Sequence, residues 1–195
     1  MSRRITIIQG HPDPTGGHLG HALAEAYAQA AAEAGHELRE IDVARLDFPL
    51  LRTQQAFDSG EVPPDIREAQ AAIAWAEHLV FFYPLWMGGM PALLKGFLEQ
   101  TFRPGFAVAA ANAAGMERRL LKGRSARIVV TMGMPASFYR WYFRAHGLKS
   151  FKRNILAFCG IGPVRETLIG MTDALDAAKA GKWLARMRVL GRKAE

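Results

Sequence analysis

An open α/β fold, a parallel sheet of five strands covered by helices on both faces, is predicted for this 195-residue chain by two observations. Short β-branched or aromatic runs alternate with segments whose apolar residues recur every three or four positions, and right-handed crossovers between parallel strands place such helices on both faces of a sheet. Length and composition agree: with 50% hydrophobic residues the chain suits one domain over residues 1–195, large enough for a real core.

The elements follow in order. "RITIIQG" is a β-branched run ended by Gly10 and reads as a strand buried on both faces. Leu19, Ala22, Leu23, Ala26, Tyr27, Ala30 and Ala34 then form one apolar helical stripe, stopped by Gly35. "HELREIDV" is the second strand. Pro63 and Pro64 open a helix with Ile66, Ala69, Ile73 and Trp75 at apolar positions, and "HLVFFYP" makes the third strand. Pro91 starts a helix carrying Leu93, Leu94, Phe97, Leu98 and Phe102 on one face. "ARIVVTMG" is the fourth strand, Phe151 to Phe158 a helix, "GPVRETLIG" the fifth strand, and Asp173 the cap of a final helix reaching about Leu190. Two long irregular stretches, Ala44 to Val62 and Arg103 to Arg124, read as functional covers or partner contacts.

Composition excludes several classes. The single cysteine, Cys159, lies in the apolar run "NILAFCGIG", so a disulfide framework is excluded and a buried, inert thiol in a reducing compartment is expected. "MSRRITIIQG" is too short in apolar residues for a secretory core, and the run Leu79 to Leu94 is broken by Pro84, Gly88, Gly89 and Pro91, so no membrane span is expected. A cytoplasmic protein follows. The net charge of +7 is uneven: residues 1–116 hold 8 Lys/Arg against 13 Asp/Glu, and residues 117–195 hold 17 against 5. The cations from Arg118 to Arg127 and from Arg140 to Arg153 are spread among Leu, Gly and aromatic residues, without a helix-turn-helix, zinc or RNA-binding signature, so no nucleic-acid partner is expected. A solvated basic face, or attraction of an anionic cofactor, is the reading left.

In an open parallel sheet ligands bind beyond the carboxyl ends of the strands, at the topological switch point. Three segments lie there: Gly10 to Gly20, Pro84 to Met90, and Thr131 to Tyr139. The first, inside "GHPDPTGGHLGHALAEAY", is not a P-loop, because no Gly-Lys-Ser/Thr follows its glycines, and it lacks G-x-G-x-x-G spacing. Asp42, where a dinucleotide site has an acidic ribose ligand, reads as a strand-end polar residue. What remains is a turn that delivers backbone N–H groups to a helix start near His18, which favours an anion, with His11, Thr15, His18 and His21 as further donors. The second segment presents Tyr83, Trp86 and Met87, with Gly88 and Gly89 where backbone can approach a flat ligand. The first segment suits an anion and the second a planar ring.

The stretch "FFYPLWMGGMPALLKGFLEQTF" resembles the Pro-Leu-x-x-x-x-x-Pro-Ala-x-Leu-Lys-Gly segment of the flavodoxin-like NAD(P)H:quinone oxidoreductases, and "RPGFAV", "HPDP" with "HALAEAY", "TMGMPASFY", His146-Gly147 and "FCG" extend the likeness over nearly the whole chain. The resemblance implies a flavodoxin-like three-layer sandwich with strand order 2-1-3-4-5, a non-covalent flavin (FMN or FAD), NAD(P)H as electron donor, and a homodimer with its sites at the subunit interface. By position it assigns His11, His18, Leu19, Gly20 and His21 to the flavin phosphate, Pro84, Leu85, Trp86, Met87 and Gly88 to the isoalloxazine ring, and Thr131, Met132, Gly133 and Met134 to the ring's other edge. Tyr139 and His146 match the tyrosine and histidine that assist hydride transfer, and no metal is implied. Trp86-Met87-Gly88 stands where the family usually has Gln-Trp-Phe. The implied activity is ping-pong transfer of two electrons from NAD(P)H through flavin to a quinone. The same likeness admits a flavoprotein ancillary to potassium-efflux transporters, or a reductase of azo or nitro compounds. A basic stretch from Met116 to Arg127 is a further, weak candidate for attracting cofactor phosphates.

Overall fold

In the computed structural model, which describes residues 2–109 and 119–195, Met116 and Arg118 lie outside the described residues. The strands are β1 (Arg4–Gln9), β2 (Glu37–Asp42), β3 (His78–Pro84), β4 (Ser125–Thr131) and β5 (Val164–Ile169). They pair in parallel in the order β2-β1-β3-β4-β5, as the resemblance implies. Between them lie α1 (Leu19–Glu33), α2 (Gln54–Ser59), α3 (Pro64–Trp75), α4 (Ala92–Thr101), α5 (Ala136–Trp141) and α6 (His146–Ser150), and α7 (Ala177–Arg192) follows β5. Among the described residues no helix is long and apolar enough to cross a membrane.

Strand alternation sends side chains to two cores. Ile5 and Ile7 of β1, Val80 and Phe82 of β3 and Val129 of β4 meet Leu23, Tyr27, Met187 and Leu190 of α1 and α7. Ile8, Leu79, Phe81, Tyr83, Ile128 and Val130 meet α3, α4 and the α6 region through Ile66, Ile73, Leu94, Phe97 and Phe151. Both faces of β1, β3 and β4 are thereby dry, which is why these strands read as continuous apolar runs. β2, at the sheet's edge, keeps only Ile41 fully inside.

Four local readings change. The final helix is capped by Asp176, whose Oδ1 accepts from Lys179 N at 2.7 Å, while Asp173 sits in the preceding short turn Thr172–Ala174. The segment at Phe151 belongs to a longer helical run: it starts with α6 at His146 and tightens into a π-helical turn over Phe151–Leu156. A separate helix, α5, follows β4. On α1, Ala22 and Ala34 are exposed while Ala28 and Ala31 are buried, because α7 packs beside α1 and widens its buried face beyond one stripe. Cys159 is buried and free, and burial pushes its thiol up to about 11.

The stretch Ala44 to Val62 is draped over α4. Phe48 meets Phe97 edge-on at 6.3 Å, Pro49 O accepts from Gln100, and Thr53 caps α2 by accepting from Ala56 N. Arg103, only 4% exposed, holds the far end by donating to the carbonyls of Ala56, Gly60 and Glu61. A buried guanidinium is tolerated here because these carbonyls accept from both of its terminal nitrogens.

The α1–α7 contact is backbone-close at Gly191, where a Cβ would stand 2.3 Å from Tyr27 O. Gly191→Ala is expected to destabilise the fold by about 1–3 kcal/mol in a urea melt, the usual cost of overpacking. Gly181→Ala, on the exposed side of α7 with open space at the Cβ, is expected to stabilise by about 0.5–1 kcal/mol.

Candidate active site

The site is built where β1 and β3 lie side by side, the switch point of this topology. Gly10 leaves β1 with its N–H on Phe82 O at 2.7 Å, and a Cβ there would stand 2.7 Å from Leu94 Cδ2, so any side chain would have to displace the Leu94 tip. Gln9, buried, then organises the turn: its Oε1 accepts from His11 N and its Nε2 donates to Gly20 O. Asp13 does the same further out. Its Oδ1 accepts from the amide and hydroxyl of Thr15 and its Oδ2 lies 2.8 Å from His18 Nε2. The Thr15 hydroxyl first, and His18 next, hold the Asp13 carboxyl well below the usual carboxylate range.

These contacts collect the three histidines. His11 stacks on His18 with centroids 4.0 Å apart, and His21 lies 5.0 Å from His11 and 5.7 Å from His18. Burial, then mutual repulsion with His18 and His21, pushes the His11 imidazole below its ordinary value; burial, then His18, does the same to His21. Both ring nitrogens of His21 are out of contact with solvent and without a partner among the described residues. Asp42 faces His21 electrostatically, but its carboxylate is spent on Ala44 N at 3.2 Å and Arg45 Nε at 3.0 Å, the strand-end role expected of it. α1 begins directly after His18, with no side-chain cap and no acidic residue in its first turn. The amides of Leu19 and Gly20 therefore precede the first intrahelical bond, and the positive end of the helix is left uncompensated.

The second segment is a tight hairpin. Trp86 and Gly89 exchange both backbone hydrogen bonds at 2.9 Å, and the two residues between them, Met87 and Gly88, have φ of 48° and 79°. Positive φ at both central positions is the mark of a type I′ turn, and it suits Gly88 far better than Met87. Pro84 ends β3, and Leu85 N bonds Thr131 O at 2.8 Å, tying this loop to the next. Trp86 is half exposed and stands edge-on to His11 at 6.5 Å, so the aromatic wall and the histidine group share one edge of the sheet.

The third segment is the most constrained. Met132 N bonds Ile169 O and Met132 O accepts from Thr172 N, while Met134 O accepts from Met171 N. Met132 is buried, whereas Gly133 is exposed and passes so close to Asp173 that a Cβ would stand 2.8 Å from its carboxylate. Asp173 thus belongs to the rim of this edge, a placement its helix-cap signature hid.

Tyr139 and His146 part company. The Tyr139 ring is 1% exposed, its hydroxyl donates to Gly88 O at 3.2 Å, and it accepts from Leu148 N at 3.2 Å. Gly147 presses on the same hairpin, since a Cβ there would come within 2.3 Å of Gly88 O. His146, beside it, is exposed at the start of α6. Among the described residues no group of His, Cys, Asp and Glu is arranged to hold a metal.

A family model described as a flavodoxin-like fold matches residues 3–189, and the chain belongs to that family. An uncharacterized NAD(P)H oxidoreductase of Haemophilus influenzae is 30% identical over 174 residues, 87% of this chain and 85% of that one. NAD(P)H dehydrogenase [quinone] 1 of Rattus norvegicus is 26% identical over 192 residues, 86% of this chain and 68% of its own length. Among solved structures, the NAD(P)H:quinone oxidoreductase from Methanothermobacter marburgensis superposes with a TM-score of 0.81 over the whole of both chains at 24% identity, which speaks to the fold.

Two predictions follow from this geometry. His11 and His21 bind protons more weakly folded than unfolded, so stability is highest above the unfolded value of 6.5 and falls as pH drops below it. Thermal melts of the protein alone between pH 7.5 and about 5 are expected to show this fall, and His21→Gln to flatten it. Tyr139→Phe is expected to cost about 1–3 kcal/mol, since Leu148 N–H loses its acceptor. Amide exchange at Trp86 and Gly89 should quicken in that variant.

Proposed function

We propose that the chain is a flavin-dependent NAD(P)H oxidoreductase with a quinone-type acceptor, two electrons being passed in each turnover. The observation that carries this reading is the convergence, at one switch point, of an uncompensated helix start, three clustered imidazoles and a half-exposed tryptophan hairpin. An anion is wanted at one end and a flat ring at the other. The residues fit a flavin: the orphan nitrogens of His21 and the first amides of α1 suit its phosphate, with His11 and His18 beside them. Pro84, Leu85, Trp86, Met87 and Gly88 would hold one side of the ring, and Thr131, Gly133 and Met134 the other, with Met132 supporting from the core.

A bound flavin supplies the redox chemistry. The chain's own residues orient the ring and manage protons. Tyr139 is a positioning residue in this reading: its hydroxyl hydrogen is directed at Gly88 O, so it fixes the hairpin rather than serving the acceptor. Proton supply falls to His146, which is exposed beside that hairpin. A second copy of the chain would complete the site, a reading supported by Trp141, Tyr142 and Met87, which are 79%, 71% and 105% exposed near its mouth.

Steady-state turnover tests the reading. Protein reconstituted with FMN or FAD is expected to oxidise NAD(P)H much faster with a benzoquinone or naphthoquinone than without; equal rates would overturn the proposal. His146→Asn is expected to lower kcat by roughly a hundredfold with flavin affinity retained.

A further inference from the structure

A second polar cluster lies at the opposite end of the sheet, where β3 and β4 begin. His78 pairs in register with Ser125, and Arg127 with Arg165. Val80 and Val129, two residues along from His78 and Arg127, point into the α1–α7 core, so strand alternation aims His78, Ser125, Arg127 and Arg165 at that same face, where Tyr27 of α1 also lies.

Arg3 bridges the cluster: Nη1 donates to Ala194 O at 2.9 Å and Nη2 to Ser125 Oγ at 3.0 Å. Ser125 Oγ in turn lies 2.8 Å from His78 Nδ1. Burial first, and then Arg3, Arg127 and Arg165, hold His78 down to about 3, so the ring is neutral at any ordinary pH. Among the described residues His78 Nε2 has no partner and no solvent, and neither does Tyr27 Oη or Arg127 Nε. The three residues are 2%, 0% and 6% exposed. Native proteins rarely leave one such polar atom orphaned, let alone three on one face.

The surrounding charge is positive. Arg3, Arg165 and Lys193 line a cavity of about 330 Å³ together with His78 and one acid, Glu195, and Arg127 stands two residues from Ser125 on the same face. The acids in reach are already used: Glu195 pairs with Arg165 at 2.8 Å, and Glu77 accepts from Arg4 N at 3.0 Å. Water would leave the excess charge uncompensated; a small oxyanion offsets it and accepts hydrogen bonds from the guanidinium and ammonium groups.

We propose that this end of the sheet is a binding site for a small phosphate-type oxyanion, held by His78, Arg3, Arg165 and Lys193 and separate from the edge that would take a flavin. The site does not depend on the redox reading.

Inorganic phosphate is the probe, titrated at constant ionic strength into the full-length protein, with the imidazole NMR resonances of His78 as a local reporter. The expected result is a saturable shift of the His78 ring resonances. In the Arg165→Gln, Lys193→Gln double variant, both changes lying at the cavity mouth, the midpoint is expected to weaken at least about tenfold. A His78 signal that stays still, follows ionic strength alone, or moves with the same midpoint in the double variant would falsify the proposal. Binding that shifts only the His11, His18 and His21 resonances also overturns it, since it places the phosphate at the other edge.

Discussion

The parallel pairing of β1 with β3 is the constraint on which the rest of this structure depends. Once these two strands lie side by side, the chain leaving β1 must turn to α1 on one face and the chain leaving β3 must turn to α4 on the other. The two departing segments cannot cover each other, and a cleft opens at their carboxyl ends. Gly10 shows how tightly that edge is drawn, for Leu94 of α4 occupies the space a side chain would need. The helix start, the histidines and the tryptophan hairpin occur together because the topology leaves them one place to meet.

The edge is held by backbone more than by side chains. Leu85 bonds to Thr131, Met132 to Ile169 and Thr172, and Met134 to Met171, so the loops after β3, β4 and β5 form one laced rim. Gly147 and Tyr139 then pin the hairpin from beneath. A rim of this kind keeps its shape without a ligand, which lowers the ordering cost of binding one. The histidines are different in kind. Three imidazoles within 6 Å of one another repel when charged, and the same group is drawn to an anion. The opposite end of the sheet poses a related problem with other means, since there a buried neutral imidazole and a buried phenol lie among arginines.

Much of this was legible in the chain itself. The apolar runs of β1, β3 and β4 announced strands dry on both faces, Pro64 opened α3 as read, and the missing P-loop lysine and wrong glycine spacing ruled out two phosphate templates. The errors share one cause. Asp173 and Asp176 are three residues apart and chemically identical, so only the turn fixed by Met132 and Met134 decides which one caps α7. Contacts made at a distance were hidden in the same way: the Tyr139 hydroxyl meets Gly88 and Leu148, 51 and 9 residues away in the chain. Arg103 carried no local signal of its role, and only packing shows it as the clamp on α2.

The sequence by itself determined which segments become strands and helices, and which loops reach the ligand edge, because periodicity and turn residues act over a few neighbours. Only the tertiary structure decided which polar groups remain free. Whether an imidazole or a phenol is a ligand, a brace or an orphan depends on partners that folding brings from distant positions, as Ser125 is brought to His78 and Gly88 to Tyr139.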